Sequence, residues 1–215
     1  MLGFRYNNMK KHKSFTLIEM LVTIMIVVLI TSVSVLSLGS AKSAETVSTQ
    51  GDELKGLIDE LKSYAAGNDR DRAGNYVLII QTSGATGTDY CNQPAAANRN
   101  SLIKNEYMIC ETQDKDISSY TLPGSLDNSN LNRVRAGSLN SDLTIASAGF
   151  DPANPTSSVN PIVINIRAYD GQVGYGLKYC DSSSTYCGPT FPTITLTKSD
   201  QTQTLTLNSI LGTFR

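Results

Sequence analysis

A continuous apolar run near the start of the chain dominates its pattern of hydrophobic and polar positions. Residues 15–38 form a stretch of 24 residues in which Glu19 is the sole charged side chain. As a helix rising 1.5 Å per residue it would be about 36 Å long, enough to cross a hydrocarbon layer about 30 Å thick. The pattern therefore predicts a membrane-spanning helix at residues 15–38.

The pattern changes from continuous to amphipathic further along. From Asp52 onwards, apolar side chains recur every three or four residues, as on one face of a helix. These positions are Leu54, Leu57, Ile58, Leu61 and Ala65. The pair Gly67-Asn68 is a good stop signal. We expect one helix over residues 15–66, with bends favoured at Gly39 or Gly51, whose amphipathic half packs on a sheet.

Short alternating segments follow the helix and predict strands. The pair Asp170-Gly171 is a hairpin turn signal between two of them. The predicted strands are 76–81, 106–112, 131–136, 143–146, 162–169, 172–178, 193–197 and 203–207, with a further candidate at 117–122. Strands that follow each other through hairpin turns favour an antiparallel sheet. The expected fold class is α+β, with a long N-terminal helix packed on an antiparallel, β-rich C-terminal domain.

Basic residues precede the apolar run and predict its orientation. They are Arg5, Lys10, Lys11 and Lys13, with no acidic residue before Glu19. Such clusters stay on the cytoplasmic side, so the rest of the chain would lie outside. A secretory signal cleaved at the small residues 37–39 is the competing interpretation, with Ser40 or Glu45 as the new first residue. Glu19 argues against it, because a carboxylate in an apolar core is costly and a discarded signal gains nothing from it.

The residues around this junction carry a family resemblance. Residues 13–21, KSFTLIEML, resemble the class III signal peptide of type IV prepilins and type II secretion pseudopilins. The resemblance implies that a prepilin peptidase cuts between Ser14 and Phe15 and methylates the new amine of Phe15. The family usually has glycine before the cut, where this chain has Ser14, another small residue. The implied fold is pilin-like.

The resemblance also implies a role for Glu19. Its carboxylate would pair with the N-terminal amine of a neighbouring subunit when helices pack into a pilus or pseudopilus. The expected division is a leader (1–14), a transmembrane assembly helix (15–38), an amphipathic helix (39–66) and an extracellular β domain (67–215). The protein would sit in the inner membrane, in contact with lipid, and then enter an extracellular or periplasmic fibre with other pilin subunits.

The layout after the helix carries a second resemblance. A predicted strand follows the helix directly, and the remaining predicted elements are all strands, ending with residues 192–212. This order of elements is similar to that of the FimT/GspH type of minor pilin or pseudopilin. That resemblance implies a minor pilin, with a secretion pseudopilin or a DNA- or surface-binding tip pilin for competence or adhesion as alternatives. DNA binding would need a basic surface. The candidates for it are Arg133, Arg135, Arg167, Lys178 and Arg215.

The exported part contains four cysteines, Cys91, Cys110, Cys180 and Cys187. An even number outside the cytoplasm favours disulfides, and three pairings are possible. Proximity in sequence favours Cys91 with Cys110 and Cys180 with Cys187. A site in which all four thiolates bind zinc is the alternative, but the chain lacks the CxxC spacing that such sites use.

Little else in the sequence suggests chemistry, so we expect a structural protein rather than an enzyme, with no cofactor and no metal. The single histidine, His12, lies in the leader and leaves the processed chain none for a nucleophile–histidine pair. The charged clusters 69–72 and 114–116 lack the EF-hand pattern. Removing the leader leaves 14 basic against 19 acidic side chains, a formal charge of −5. That charge gives no general attraction to nucleic acid.

Overall fold

The structure is a computed structural model that describes most of the chain. The described residues are 16–67, 74–84, 91, 102–114, 117, 131–150, 159–168, 171, 173–175, 178–179, 192–208 and 213–214. The chain divides into two compact units, residues 1–41 and residues 42–215. The first unit contributes the apolar part of the helix, and the second contains the β strands.

One helix, α1, runs from Leu17 to Gly67 over 51 residues. Its bounds agree with the predicted 15–66, and helical structure continues through both Gly39 and Gly51. Gly51 is buried because Gln203 packs against it, and a Cβ added there would lie 2.3 Å from the Gln203 Oε1. The glycine therefore allows a close approach between the helix and the sheet side chains that face it.

The described residues after the helix include ten strands, and every pairing among these strands is antiparallel. They are β1 Asn75–Ile80, β2 Glu106–Thr112, β3 Leu131–Ser138, β4 Thr144–Ala148, β5 Ile162–Arg167, β6 Val173–Tyr175, β7 Lys178–Tyr179, β8 Thr193–Lys198, β9 Gln201–Asn208 and β10 Thr213–Phe214. The predicted α+β class with antiparallel sheet structure is confirmed. The candidate strand 117–122 lies almost entirely outside the described residues.

The strands form two sheets. The first has the order β3-β2-β1-β5-β6-β7, and the second has the order β10-β9-β8-β4. The predicted turn at Asp170-Gly171 falls in the connection between β5 and β6, which pair antiparallel. Gly171 has a φ of 69°, a conformation that glycine adopts without strain. Asp170 lies outside the described residues.

The main core lies between the helix and the two sheets, within the second unit. The predicted apolar stripe of α1 is buried there, including Leu54 and Leu61 at 0% exposure. Alternate residues of β1, Leu78 and Ile80, face the same core, as do Leu196 and Leu207 of the second sheet. Burial of this stripe explains why a helix with an otherwise polar surface is stable over residues 42–67.

A smaller second core lies on the other face of the first sheet. The remaining residues of β1, Val77 and Ile79, point into it, since side chains alternate between the faces of a strand. It also contains Met108, Cys110 and Val163 from neighbouring strands. Its other described members are Cys91, Leu102, Ile117 and Leu131. The β1–β2 connection therefore helps to cover a face that would otherwise be exposed and apolar.

Candidate functional site

The apolar part of α1 is exposed throughout its described side chains. Leu17 is 84% exposed and Leu38 is 69% exposed, and large apolar side chains between them are also accessible. An 18-residue window of this helix reaches a mean hydropathy of 2.7 and has no buried share. Among the described residues, this is the one helix long and apolar enough to cross a membrane. An exposed apolar surface of this extent is typical of segments that contact lipid or other proteins.

Polar groups inside the apolar segment are satisfied within the helix. The hydroxyl of Thr23 donates to the Met20 carbonyl oxygen at 2.9 Å, and that of Ser34 donates to the Ile30 carbonyl oxygen at 2.9 Å. Thr31 bonds in the same way to Val27. A hydroxyl that bonds to its own helix leaves no unsatisfied donor in hydrocarbon. These side chains therefore do not disturb an apolar environment.

Glu19 closes a capping box at the start of the helix. The Glu19 Oε2 accepts hydrogen bonds from the backbone N–H of Thr16 at 2.9 Å and from the Thr16 hydroxyl at 3.0 Å. The Thr16 Oγ1 accepts in return from the backbone N–H of Glu19 at 3.3 Å. This reciprocal pattern is the S/T-x-x-E capping box, and it satisfies two of the free donors at a helix start. The carboxylate thus has partners in the single subunit.

Thr16 was not among the predicted site residues, although the sequence contains a signal for its capping role. A threonine followed three residues later by glutamate, just before an apolar run, is a known sign of a helix start. The predicted cleavage and methylation residues, Ser14 and Phe15, lie outside the described residues. The structure therefore gives the surroundings of Glu19 on the helix side of the expected cut.

The structure joins Cys91 and Cys110 by a disulfide, with their Cα atoms 6.3 Å apart. Cys110 lies in the middle of β2 at 0% exposure, and Cys91 is 2% exposed. Cys180 and Cys187 lie outside the described residues, so their pairing stays a prediction. Among the described side chains, no cluster of three metal-ligating groups occurs.

A polar cluster fixes the amphipathic half of α1 to the first sheet. The guanidinium of Arg135 on β3 forms an ion pair with the carboxylate of Glu60. The Tyr64 hydroxyl donates to the Glu60 Oε1 at 2.8 Å, and the Tyr64 ring stacks on Tyr76 with centroids 5.8 Å apart. The Arg135 hydrogen bond holds the pKa of Glu60 below its ordinary value. The bond to Glu60 raises the pKa of Tyr64, because ionising the phenol would break it.

The described arginines do not form one basic surface. Arg133 pairs with Cys110 and Arg135 pairs with Ile109, with a register shift between these partners. Since Cys110 and Ile109 face opposite sides of β2, the bulge places the two arginines on opposite faces of the sheet. Arg167 on β5 is separated from β3 by two strands. The side chain of Lys178 and all of Arg215 lie outside the described part.

Comparison with known proteins identifies the N-terminal segment. Residues 9–38 match the family model of the prokaryotic N-terminal methylation motif. The chain therefore carries a class III signal peptide of the kind found in type IV pilins and pseudopilins, which are structural proteins. The motif implies processing by a prepilin peptidase and assembly with other pilin subunits. No curated protein and no solved structure matches the chain.

Proposed function

We propose that this protein is a structural, non-catalytic subunit of a type IV pilus or pseudopilus. Cleavage between Ser14 and Phe15 would release the leader, and α1 would then pack laterally among the helices of other subunits. The observation that carries this proposal is Glu19, a carboxylate at the start of an exposed apolar helix, within the matched methylation motif. The minor pilin role follows from the resemblance to the FimT/GspH type, and a secretion pseudopilin is the alternative.

The proposed membrane topology follows from the charge distribution. The basic leader would stay in the cytoplasm, residues 17–38 would contact lipid, and residues 42–215 would fold outside. The capping box supports an inserted monomer, because Thr16 bonds to the carboxylate of Glu19 before any neighbour is present. A protease added outside spheroplasts should digest the β domain. Digestion from the cytoplasmic side alone would contradict the topology.

Assembly would exchange the partners of Glu19. Removal of the leader creates a cationic amine on Phe15, and the amine of a neighbouring subunit would replace Thr16 as the main partner of the carboxylate. Two unit charges about 4 Å apart attract by about 4 kcal/mol at an effective dielectric constant near 20, before desolvation. Because a buried carboxylate without a partner is strongly destabilising, the pair would fix the register at which a helix joins the fibre.

The decisive experiment replaces this carboxylate. We expect Glu19→Ala to insert into the membrane normally and to be absent from sheared fibres. Glu19→Gln can still accept hydrogen bonds from Thr16 but carries no charge, so it separates helix capping from charge pairing; we expect it to fail in assembly as well. Glu45→Ala, which removes an exposed carboxylate beyond the apolar segment, should assemble normally. Normal incorporation of Glu19→Ala would refute the proposal.

Processing provides an independent test. Mass spectrometry of the protein from cells with prepilin peptidase should find Phe15 as the first residue, carrying one additional methyl group. Cells without the peptidase should keep the full leader. A mature chain that begins at Ser40 or Glu45 would instead indicate ordinary secretion.

A further inference from the structure

Threonines form a regular grid on the outer face of the second sheet. Three neighbouring strands, β4, β8 and β9, contribute three residues each, and the strand register aligns these residues in three rows. We call the nine residues the threonine grid, since seven of them are threonines. The rows are Thr144, Thr197 and Thr202; Ala146, Thr195 and Thr204; and Ala148, Thr193 and Thr206.

The opposite face of the same strands belongs to the main core. Ile145 of β4, Ile194 and Leu196 of β8 and Leu205 of β9 are all buried there. Because side chains alternate between the two faces of a strand, burial of these residues leaves the grid on the outer face. Threonine is branched at Cβ, so its side chain adopts few conformations. The grid therefore holds its hydroxyl and methyl groups at fixed positions.

The grid is open to solvent and uncharged. Thr144, Thr202 and Thr204 are exposed, and the other four threonines are partly exposed. Lys198 and Asp142, which flank the grid in sequence, form an ion pair with each other at 3.6 Å. A charged partner would lose water on contact with the grid and would meet no opposite charge in it. The grid therefore favours a neutral partner.

The geometry of strands sets the spacing of the grid. Neighbouring strands lie about 4.8 Å apart, and residues on one face repeat about every 6.8 Å along a strand. Oxygen atoms on the prism faces of hexagonal ice also repeat in two directions, at comparable distances. No residue of the grid is aromatic, so it offers no ring on which a sugar could stack. A neutral partner that is periodic in two directions fits the grid better than a single glycan chain.

The hydroxyl groups of the grid can bind such a lattice of oxygen atoms. Each threonine hydroxyl has one donor and two acceptor sites. The hydroxyl oxygens of Thr195 and Thr204 lie 3.3 Å apart, as do those of Thr197 and Thr202. A hydrogen bond within a pair uses one donor and one acceptor, so each pair keeps one donor and three acceptors for water.

We propose that the threonine grid binds the surface of ice. Water molecules that the hydroxyls hold, and that pack around the methyl groups, take up positions compatible with the ice lattice and join its surface layer. Waters that bridge two polar surfaces bind nearly as well as a direct hydrogen bond. The proposal concerns a face of the β domain and does not require that the protein enters a fibre.

The first experiment measures capture of the full chain by growing ice. The chain is placed in nanodiscs made with a fluorescent lipid, and the solution is partly frozen by slow growth of ice on a cold surface. We expect these nanodiscs to be enriched in the ice relative to protein-free nanodiscs, because growing ice pushes solutes that do not bind to it into the liquid. Exclusion of both samples to the same degree would overturn the proposal.

The second experiment tests the grid itself. Thr204→Lys places a charge in the middle row, and Thr204→Val removes one hydroxyl but keeps the branched shape that suits a strand. We expect the lysine variant to fall to the level of protein-free nanodiscs and the valine variant to be captured less than wild type. Thr49→Lys is the matched control, since it adds the same charge at an exposed threonine of α1 and should be captured like wild type.

Circular dichroism of each variant shows whether it is folded, and the valine variant keeps the test valid if the lysine variant is not. Capture of a folded Thr204 variant at the wild-type level, or an equal loss in Thr49→Lys, would contradict a role for the grid. Two other partners predict different results. Retention on insoluble cellulose or chitin without capture by ice would indicate a glycan-binding face instead. Pairing of nanodiscs through the β domain without capture by ice would indicate contact between two copies.

Discussion

At the scale of single residues, the contact between Glu60 and Arg135 links α1 to the edge of the first sheet. Arg135 is 47% exposed and Glu60 is 24% exposed, so water screens their attraction. Exposed pairs of this kind contribute about 0.5 kcal/mol. The pair therefore orients the helix on the sheet more than it stabilises the domain.

Replacing Arg135 with methionine should lower the stability of residues 42–215 by about 0.5 kcal/mol at pH 7. The pKa of Glu60 is lowered in the folded state, so its contribution is present above the ordinary pKa of 4.5 and is lost as pH falls through the folded value. Urea unfolding should thus show a difference at pH 7 that shrinks progressively as the pH is lowered below 4.5. Lys55→Met, which removes the exposed contact with Asp52, should cost less at pH 7. If the stability lost through Arg135→Met became larger at acidic pH, the ion pair between Arg135 and Glu60 would not be the cause of the loss.

Asn105 has a different role, which depends on a segment far away in sequence. Its φ is 64°, and its Nδ2 donates to the carbonyl oxygens of Asn140 and Leu143, each at 2.8 Å. These bonds hold the turn between β3 and β4, where the chain passes from the first sheet to the second. The amide thus connects the two sheets.

Two substitutions separate the stability contributed by the side-chain hydrogen bonds of Asn105 from the effect of its backbone conformation. Asn105→Gly removes the hydrogen bonds but tolerates the positive φ, and should cost about 2 kcal/mol because buried carbonyl groups lose a donor. Asn105→Ala also carries the strain of a left-handed conformation and should cost about 1 kcal/mol more. Thermal or urea unfolding of residues 42–215 gives both values. Equal stability of the glycine variant and wild type would show that the bonds contribute nothing.

At the scale of elements, the glycines of α1 differ in their surroundings. Gly56 is exposed, and a Cβ added there would meet nothing within 4 Å. Gly56→Ala should therefore stabilise residues 42–215 by about 1 kcal/mol, since alanine is the better helix former. Gly51→Ala should gain less, because its Cβ would displace Gln203. Urea unfolding of both variants provides the comparison, and a larger gain at Gly51 would contradict the packing described.

Elements with strong local patterns could be predicted from the sequence. The helix agrees within two residues at its start and one at its end, and β2 has the predicted bounds 106–112. The division into two sheets could not be predicted, because it depends on pairing between segments distant in sequence, such as β4 with β8. A strict alternation along 131–136 would place Arg133 and Arg135 on one face of β3. The bulge opposite Ile109 and Cys110 changes this, and a strict period of two does not anticipate it.

In the candidate site, too, local signals can be read from the sequence, whereas contacts between distant segments cannot. Glu19 stands out because a charge in an apolar run is rare, and its capping partner Thr16 follows a local signal that can be read from the sequence. The pairing of Cys91 with Cys110 was favoured by their proximity in sequence. The importance of Asn105 cannot be read from its neighbours, since the carbonyl groups that it binds are at least 35 residues away.

At the scale of the whole molecule, the two units should differ in their need for a membrane. Beyond Leu38, the large apolar side chains exposed among the described residues are Ile103 and Val134, at 46% and 37%. Because the exposed apolar segment 17–38 lies in the first unit, the full chain should remain with membranes after carbonate washing, whereas residues 42–215 alone should not. Membrane fractionation tests this. Sedimentation of residues 42–215 with membranes would contradict it.

The threonine pairs of the β8–β9 hairpin differ from ion pairs in how they respond to salt and pH. Thr195 faces Thr204 and Thr197 faces Thr202 on the exposed side, with the hydroxyl oxygens of each pair 3.3 Å apart. Neither member of these pairs can gain or lose a proton near neutral pH, so their attraction is insensitive to both salt and acid. These two contacts should be equally strong at low and high salt concentration, whereas the ion pair of Lys198 with Asp142 at the end of the same hairpin should weaken as salt is added.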